Sequence, residues 1–149
     1  MRFTMTTAQR WMFAVVAVLA VAGIAVSSVS LHHHYGTSAT SYCDIGANFN
    51  CDIVNRSTYS TVIGIPDALI GILGYAALFG WATFWRDRAQ TPMILFGASL
   101  AGLAFALYLT YIEAFVLATW CILCLSSLTL ISLITLLSAG LLISSRRRA

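Results

Sequence analysis

The chain has 149 residues, 60% of them hydrophobic and 9% charged, with a formal net charge of +3. Soluble domains carry about 25% charged residues, so this chain cannot cover itself with a wetted surface, and an ordinary water-soluble enzyme is excluded. The Arg146–Arg148 run reads as a membrane-end anchor rather than a nucleic-acid patch, and no nucleic-acid partner is expected.

A membrane-crossing helix needs roughly 20 mainly apolar residues, and the gaps between charges place such spans in order. Nothing is charged between Arg10 and Asp44, and residues 11–31 read as the first helix. Ala25-Val26-Ser27 resembles a signal-peptide cleavage site, but the apolar run outlasts a signal core, so a retained helix is expected. His32-His33-His34 then reads as a polar cluster at the interface, opening a long loop over 32–65. Pro66 and Asp67 read as a structural helix start, with proline first and an acid in the first turn, and 66–85 as the second helix. Trp81, Phe84 and Trp85 fit an aromatic belt at its far end. The stretch from Pro92 to Ile143 is about twice too long for one span at roughly 1.5 Å per residue. It divides into helices over 92–113 and 120–143, with a turn within 113–119 that no Gly or Pro marks. Gly71, Gly74, Ser99 and Gly102 are small residues that let helices approach closely. The expected fold is all-α: one membrane domain over 1–149, built as a bundle of four transmembrane helices.

Arginine placement orients the bundle. Four crossings put Arg2, Arg10, Arg86, Arg88 and Arg146–Arg148 on one side and only Arg56 on the other. Positive charge concentrates in the cytoplasm, so both termini are expected inside a cell's inner (cytoplasmic) membrane. The 32–65 loop and the turn after the third helix then face outward.

All four cysteines fall on that outward side, where disulfides form and persist. Cys43 and Cys51 have seven residues between them, in a loop rich in Gly, Asn and Asp, able to close and reopen. Cys121 and Cys124 form a C-x-x-C pair where the fourth helix should begin. Residues three apart share a helical face, and helix N-termini and C-x-x-C motifs both lower thiol pKa. Leu125 stands where haem attachment would require His. Three readings compete: two structural disulfides, a four-thiolate zinc site, or a relay in which one pair meets a soluble partner and the other sits at the membrane. Exchange between pairs moves two electrons per step, and a lipid-soluble quinone is a natural acceptor beside Cys124. No metal is expected. Glu113, the last acid in the chain, is either a proton relay at membrane depth or a structural carboxylate at the interface.

Three stretches resemble the vitamin K epoxide reductases and their bacterial thiol-oxidising homologues: Cys43 with Cys51; Cys51-Asp52-Ile53-Val54-Asn55-Arg56-Ser57-Thr58-Tyr59-Ser60 followed by Gly64-Ile65-Pro66; and residues 108–117 leading into Trp120-Cys121-Ile122-Leu123-Cys124. Dsb-type thiol–quinone oxidoreductases fit less well, because their C-x-x-C lies in the first outward loop. The resemblance implies a redox enzyme that reoxidises a separate DsbA-like, thioredoxin-fold protein and reduces ubiquinone or menaquinone. It implies that Cys43 meets the partner, Cys51 passes electrons to Cys121, and Cys124 acts on the quinone. Ser57 and Tyr59 would line the quinone site. The vertebrate enzymes carry a tyrosine after the C-x-x-C that engages vitamin K; Leu128 stands there in this sequence, so quinone is expected ahead of vitamin K epoxide.

Overall fold

The computed structural model describes residues 4–36 and 46–148. Among these, α1 (Thr7–Tyr35), α3 (Asp67–Phe84), α4 (Thr91–Ile112) and α5 (Ile122–Arg146) are long and apolar enough to cross a membrane. The expected four-span bundle is thus the observed one.

Helix α1 starts one turn earlier than the apolar run. Thr6 accepts the Gln9 N–H while the Gln9 side chain accepts the Thr6 N–H, a reciprocal cap. Gln9 is buried, and its Nε2 donates to Ser144 Oγ at 3.0 Å, tying the start of α1 to the end of α5. At its other end α1 continues through His32, His33 and His34 to Tyr35, so the histidines are helical and do not follow the helix.

The core is a stack of apolar side chains: Phe13, Val16 and Ala20 from α1, Tyr75 and Leu78 from α3, Leu95 from α4, and Ile131, Ile134 and Leu141 from α5. Side chains such as Val18, Leu107 and Leu136 point outward, as an all-round apolar helix requires when lipid surrounds it. Small residues set the closest approaches. A Cβ on Gly23 would stand 2.4 Å from the Tyr75 ring, so this glycine makes the groove in which the ring lies. Helix α1 packs chiefly on α3 and α4 on α5, whereas the α3–α4 seam is the loosest of these contacts.

Among the described residues of the 32–65 connection, those from 46 onward form short elements and not a plain loop. Helix α2 (Cys51–Asn55) is capped by the Asn50 side chain, which accepts the Ile53 N–H. A single 3-10 turn (Thr58–Ser60) follows, then a small hairpin of β1 (Thr61–Val62) and β2 (Ile65–Pro66). Its tip is Ile63-Gly64, both at positive φ, the geometry that two-residue hairpins need. Pro66 closes the hairpin, and α3 begins at Asp67.

Helix α4 ends in a π-turn (Glu113–Leu117), and Ala118 reverses the chain in the left-handed conformation at φ 49°. The turn therefore falls inside the expected window without the glycine such a position favours. Arg10, Arg86, Arg88 and Arg146 all lie at one end of the bundle, while Cys51, Cys121 and Cys124 lie at the other.

Candidate redox centre

Three contacts bring distant cysteines together. Phe49 and Trp120 form a parallel bridge: Asn50 N–H donates to Trp120 O at 3.0 Å, and Trp120 N–H donates to Asn48 O at 2.9 Å. Cys51, which opens α2, lies two residues after Phe49, and Cys121, which precedes α5, directly follows Trp120. Both are fully buried in one small cluster with Val54, Leu117 and Cys124. Cys51 is disulfide-bonded, whereas Cys121 and Cys124 are free thiols. Cys43 lies outside the described residues. A disulfide at Cys51 removes one of the four thiolates that a zinc site would need, and among the described residues no three metal-binding side chains converge.

Cys121 occupies the N-cap position of α5, so Cys124 falls in its first turn. The two thiols hydrogen-bond each other, and this bond holds the Cys121 thiol below its ordinary value against the opposing effect of burial. Glu113 supports the pair. It is 1% exposed rather than interfacial, and its Oε2 accepts the Cys121 N–H at 3.1 Å. Its Oε1 makes no hydrogen bond, and the Cys124 side chain is a neighbour of the carboxylate.

Cys124 also opens onto a cavity of about 370 Å³ enclosed by all four spans. That size suits a small ligand. Its walls are mostly apolar, with Gly71, Gly74, Ala98, Ala101 and Gly102 leaving room along the loose α3–α4 seam. Polar groups are few: Ser27 and Ser30 of α1, Asp67 at the start of α3, and a pair formed by Tyr75 and Ser127. The Tyr75 hydroxyl lies 2.9 Å from Ser127 Oγ and 3.0 Å from Ser127 O.

Ser57 and Tyr59 do not line this cavity. They border a separate recess of about 10 Å³, together with Ser60, Asp67, Glu113 and Cys124. Ser57 Oγ is spent locally, donating to Val54 O at 2.8 Å. Asp67 and Cys124 belong to both spaces. Asp67 does open its helix, accepting the Ala68 N–H at 2.7 Å, but its place between the two spaces goes beyond a cap. Its position directly before the apolar run of α3 carried no local sign of this. Tyr75 and Ser127 were equally silent, because their meeting depends on the glycine groove in α1.

The histidines anchor the centre rather than decorate an interface. His33 is buried and its Nδ1 lies 3.1 Å from Asp52 Oδ1. His34 hydrogen-bonds the Asn55 carbonyl, and Ser30 donates to Asn55 Oδ1 at 2.7 Å. These bonds clamp α2, and with it Cys51, onto the end of α1.

Residues 14–139, most of the chain, match the family model described as the vitamin K epoxide reductase family. With four spans and a C-x-x-C of free thiols at the head of the last one, the chain belongs to the vitamin K epoxide reductase family, and it is a membrane-embedded oxidoreductase.

Proposed function

We propose that this chain carries electrons from a soluble dithiol protein of the thioredoxin fold to a membrane quinone, supporting disulfide formation outside the cytoplasm. The observation that carries this reading is the position of Cys124: one side of its cluster reaches the disulfide-bonded Cys51 through Cys121, the other faces the cavity between the spans. The arginine-rich end of the bundle is assigned to the cytoplasm by the positive-inside rule, which leaves the cysteines in an oxidising compartment.

A quinone, when bound, supplies a lipid-soluble acceptor of two electrons and two protons. The chain does the rest. A reduced partner opens the outer disulfide at Cys43 and leaves as its own disulfide, so Cys43 and Cys51 become thiols. Cys51 attacks Cys121 of an inner disulfide and releases Cys124 as thiolate; Cys43 then closes on Cys51 and frees Cys121. The inner pair finally gives up two electrons and two protons and re-forms Cys121–Cys124. A disulfide at Cys51 beside free thiols at Cys121 and Cys124 is the arrangement this reading assigns to the moment before the last step. Glu113 is assigned the Cys124 proton, being the carboxylate next to that thiol.

Ser57 and Tyr59 act on this site through the recess and not by walling the main cavity. Trapping tests the reading: a Cys51→Ala variant should accumulate a mixed disulfide between Cys43 and a thioredoxin-fold protein. Absence of any such adduct would remove the soluble-partner half of the proposal. Vitamin K epoxide is a second reading, favoured by one observation: the Tyr75 hydroxyl brings a phenol to the cavity wall although Leu128 fills the position after the C-x-x-C. Turnover of the epoxide by purified protein decides it.

A further inference from the structure

Two carboxylates, Asp67 at the start of the second span and Glu113 at the end of the third, meet at the recess beside Cys124. They are electrostatic neighbours. Their situations differ. Glu113 is buried with one oxygen lacking any hydrogen-bond partner. Asp67 reaches both the recess and the large cavity. The recess, at about 10 Å³, sits at the volume that admits one water, and such a water needs two to four polar partners. Glu113 Oε1, the Asp67 carboxylate and the hydroxyl oxygens of Ser57 and Ser60 supply them.

We propose that Glu113, a single water in the recess and Asp67 form a proton relay from the Cys124 thiol to the acceptor in the cavity. The proposal rests on the quinone reading above and adds the route of the protons. Cys121 and Cys124 lose two electrons and form a disulfide; both electrons pass to the quinone. The proton leaving Cys124 goes to Glu113, crosses the water to Asp67, and is delivered to a quinone oxygen at the mouth of the cavity. The second thiol proton follows through the same carboxylates to the other oxygen, so the hydroquinone gains two electrons and two protons and none is lost to lipid. An apolar chamber explains the need: among the described residues, Asp67 is the carboxylate that lines the cavity, whose other polar groups are hydroxyls, the Trp81 indole and the Cys124 thiol. The remaining titratable groups facing the relay are Cys121 and Cys124 from α5, His34 from the end of α1 and Tyr59 from the 3-10 turn.

The test uses full-length protein in lipid nanodiscs, fully reduced and freed of reductant, mixed with a short-chain ubiquinone analogue across a pH series in H₂O and D₂O. Cys124 alkylation by iodoacetamide is followed in parallel without quinone. Wild-type protein should reduce the quinone. Asp67→Asn should slow that step tenfold or more, on the scale of a lost acid–base group, and flatten its pH profile, while leaving the pH profile of Cys124 alkylation unchanged. Glu113→Gln should alter both. Asp67→Glu, which keeps the carboxylate, should restore most of the rate and controls for folding. Asp67→Asn reducing quinone at the wild-type rate and pH dependence would overturn the relay while the quinone reading stood. Wild-type protein that reduces no quinone would instead sink the parent reading.

Discussion

The backbone N–H of Cys121 donates to Oε2 of Glu113 at 3.1 Å, joining the acid that ends α4 to the residue that starts α5. One carboxylate thereby shapes the turn and touches the chemistry. Glu113→Ala would leave a buried N–H without its acceptor and should cost about 1–3 kcal/mol. Glu113→Gln keeps a carbonyl oxygen there and should cost less, yet lose the proton function. Denaturation of the two variants in detergent, set beside their quinone rates, separates the roles; an alanine variant as stable as wild type would show that the bond does not hold the turn.

The groove at Gly23 gives a second expectation. Gly23→Ala places a methyl 2.4 Å from the Tyr75 ring, so the ring must move and its hydroxyl must leave Ser127. Overpacking of this kind costs about 1–3 kcal/mol. Gly97→Ala meets nothing within 4 Å and should be neutral or slightly stabilising through helix propensity. Equal thermal stability of the two variants would argue against the groove.

How much of this could be read from sequence differs element by element. The spans were legible because charge is excluded from them over lengths that lipid dictates. The ends of α1 were not: the Thr6–Gln9 cap and the bonds of His33 and His34 to α2 extend it one turn each way. The turn at Ala118 was legible only as a length argument, since a non-glycine left-handed residue leaves no compositional mark. The two cysteine pairs stood out by spacing, but the meeting of Cys51 with Cys121 and Cys124 needs the Phe49–Trp120 bridge, a pairing across about 70 residues with no local signal. Ser57 and Tyr59, expected at a quinone site, border the recess beside Cys124 and not the larger cavity, with Ser57 Oγ donating to Val54 O. Asp67 and Tyr75 owe their places to helix packing alone.

The Cys121 thiol lies below its ordinary pKa because Cys124 hydrogen-bonds it. Alkylation of Cys121 should therefore rise with pH through a midpoint below that of an ordinary cysteine, and Cys124→Ala should move the midpoint upward. The sign for folding follows. A thiol depressed in the folded state contributes stability that is full above the unfolded thiol pKa and is lost as pH falls through the folded value. A midpoint unmoved by Cys124→Ala would mean that the pair is not coupled.

Clamping of α2 by His33 and Asp52 should govern access to the outer disulfide. Asp52→Ala removes one bond worth about 1 kcal/mol, so local opening should increase roughly fivefold. Dithiothreitol should then reduce the Cys51 disulfide several-fold faster, with no change in Cys124 alkylation. An unchanged reduction rate would place the controlling contacts elsewhere.

The central claim, that Cys124 is the sulfur that hands electrons to the quinone, is met most directly by anaerobic mixing of pre-reduced protein with a ubiquinone analogue, read as quinone absorbance. Wild-type protein should reduce the quinone and end with Cys121 joined to Cys124, while Cys124→Ala should reduce none although its Cys51 disulfide still exchanges with dithiols. Quinone reduction retained in Cys124→Ala would contradict the account.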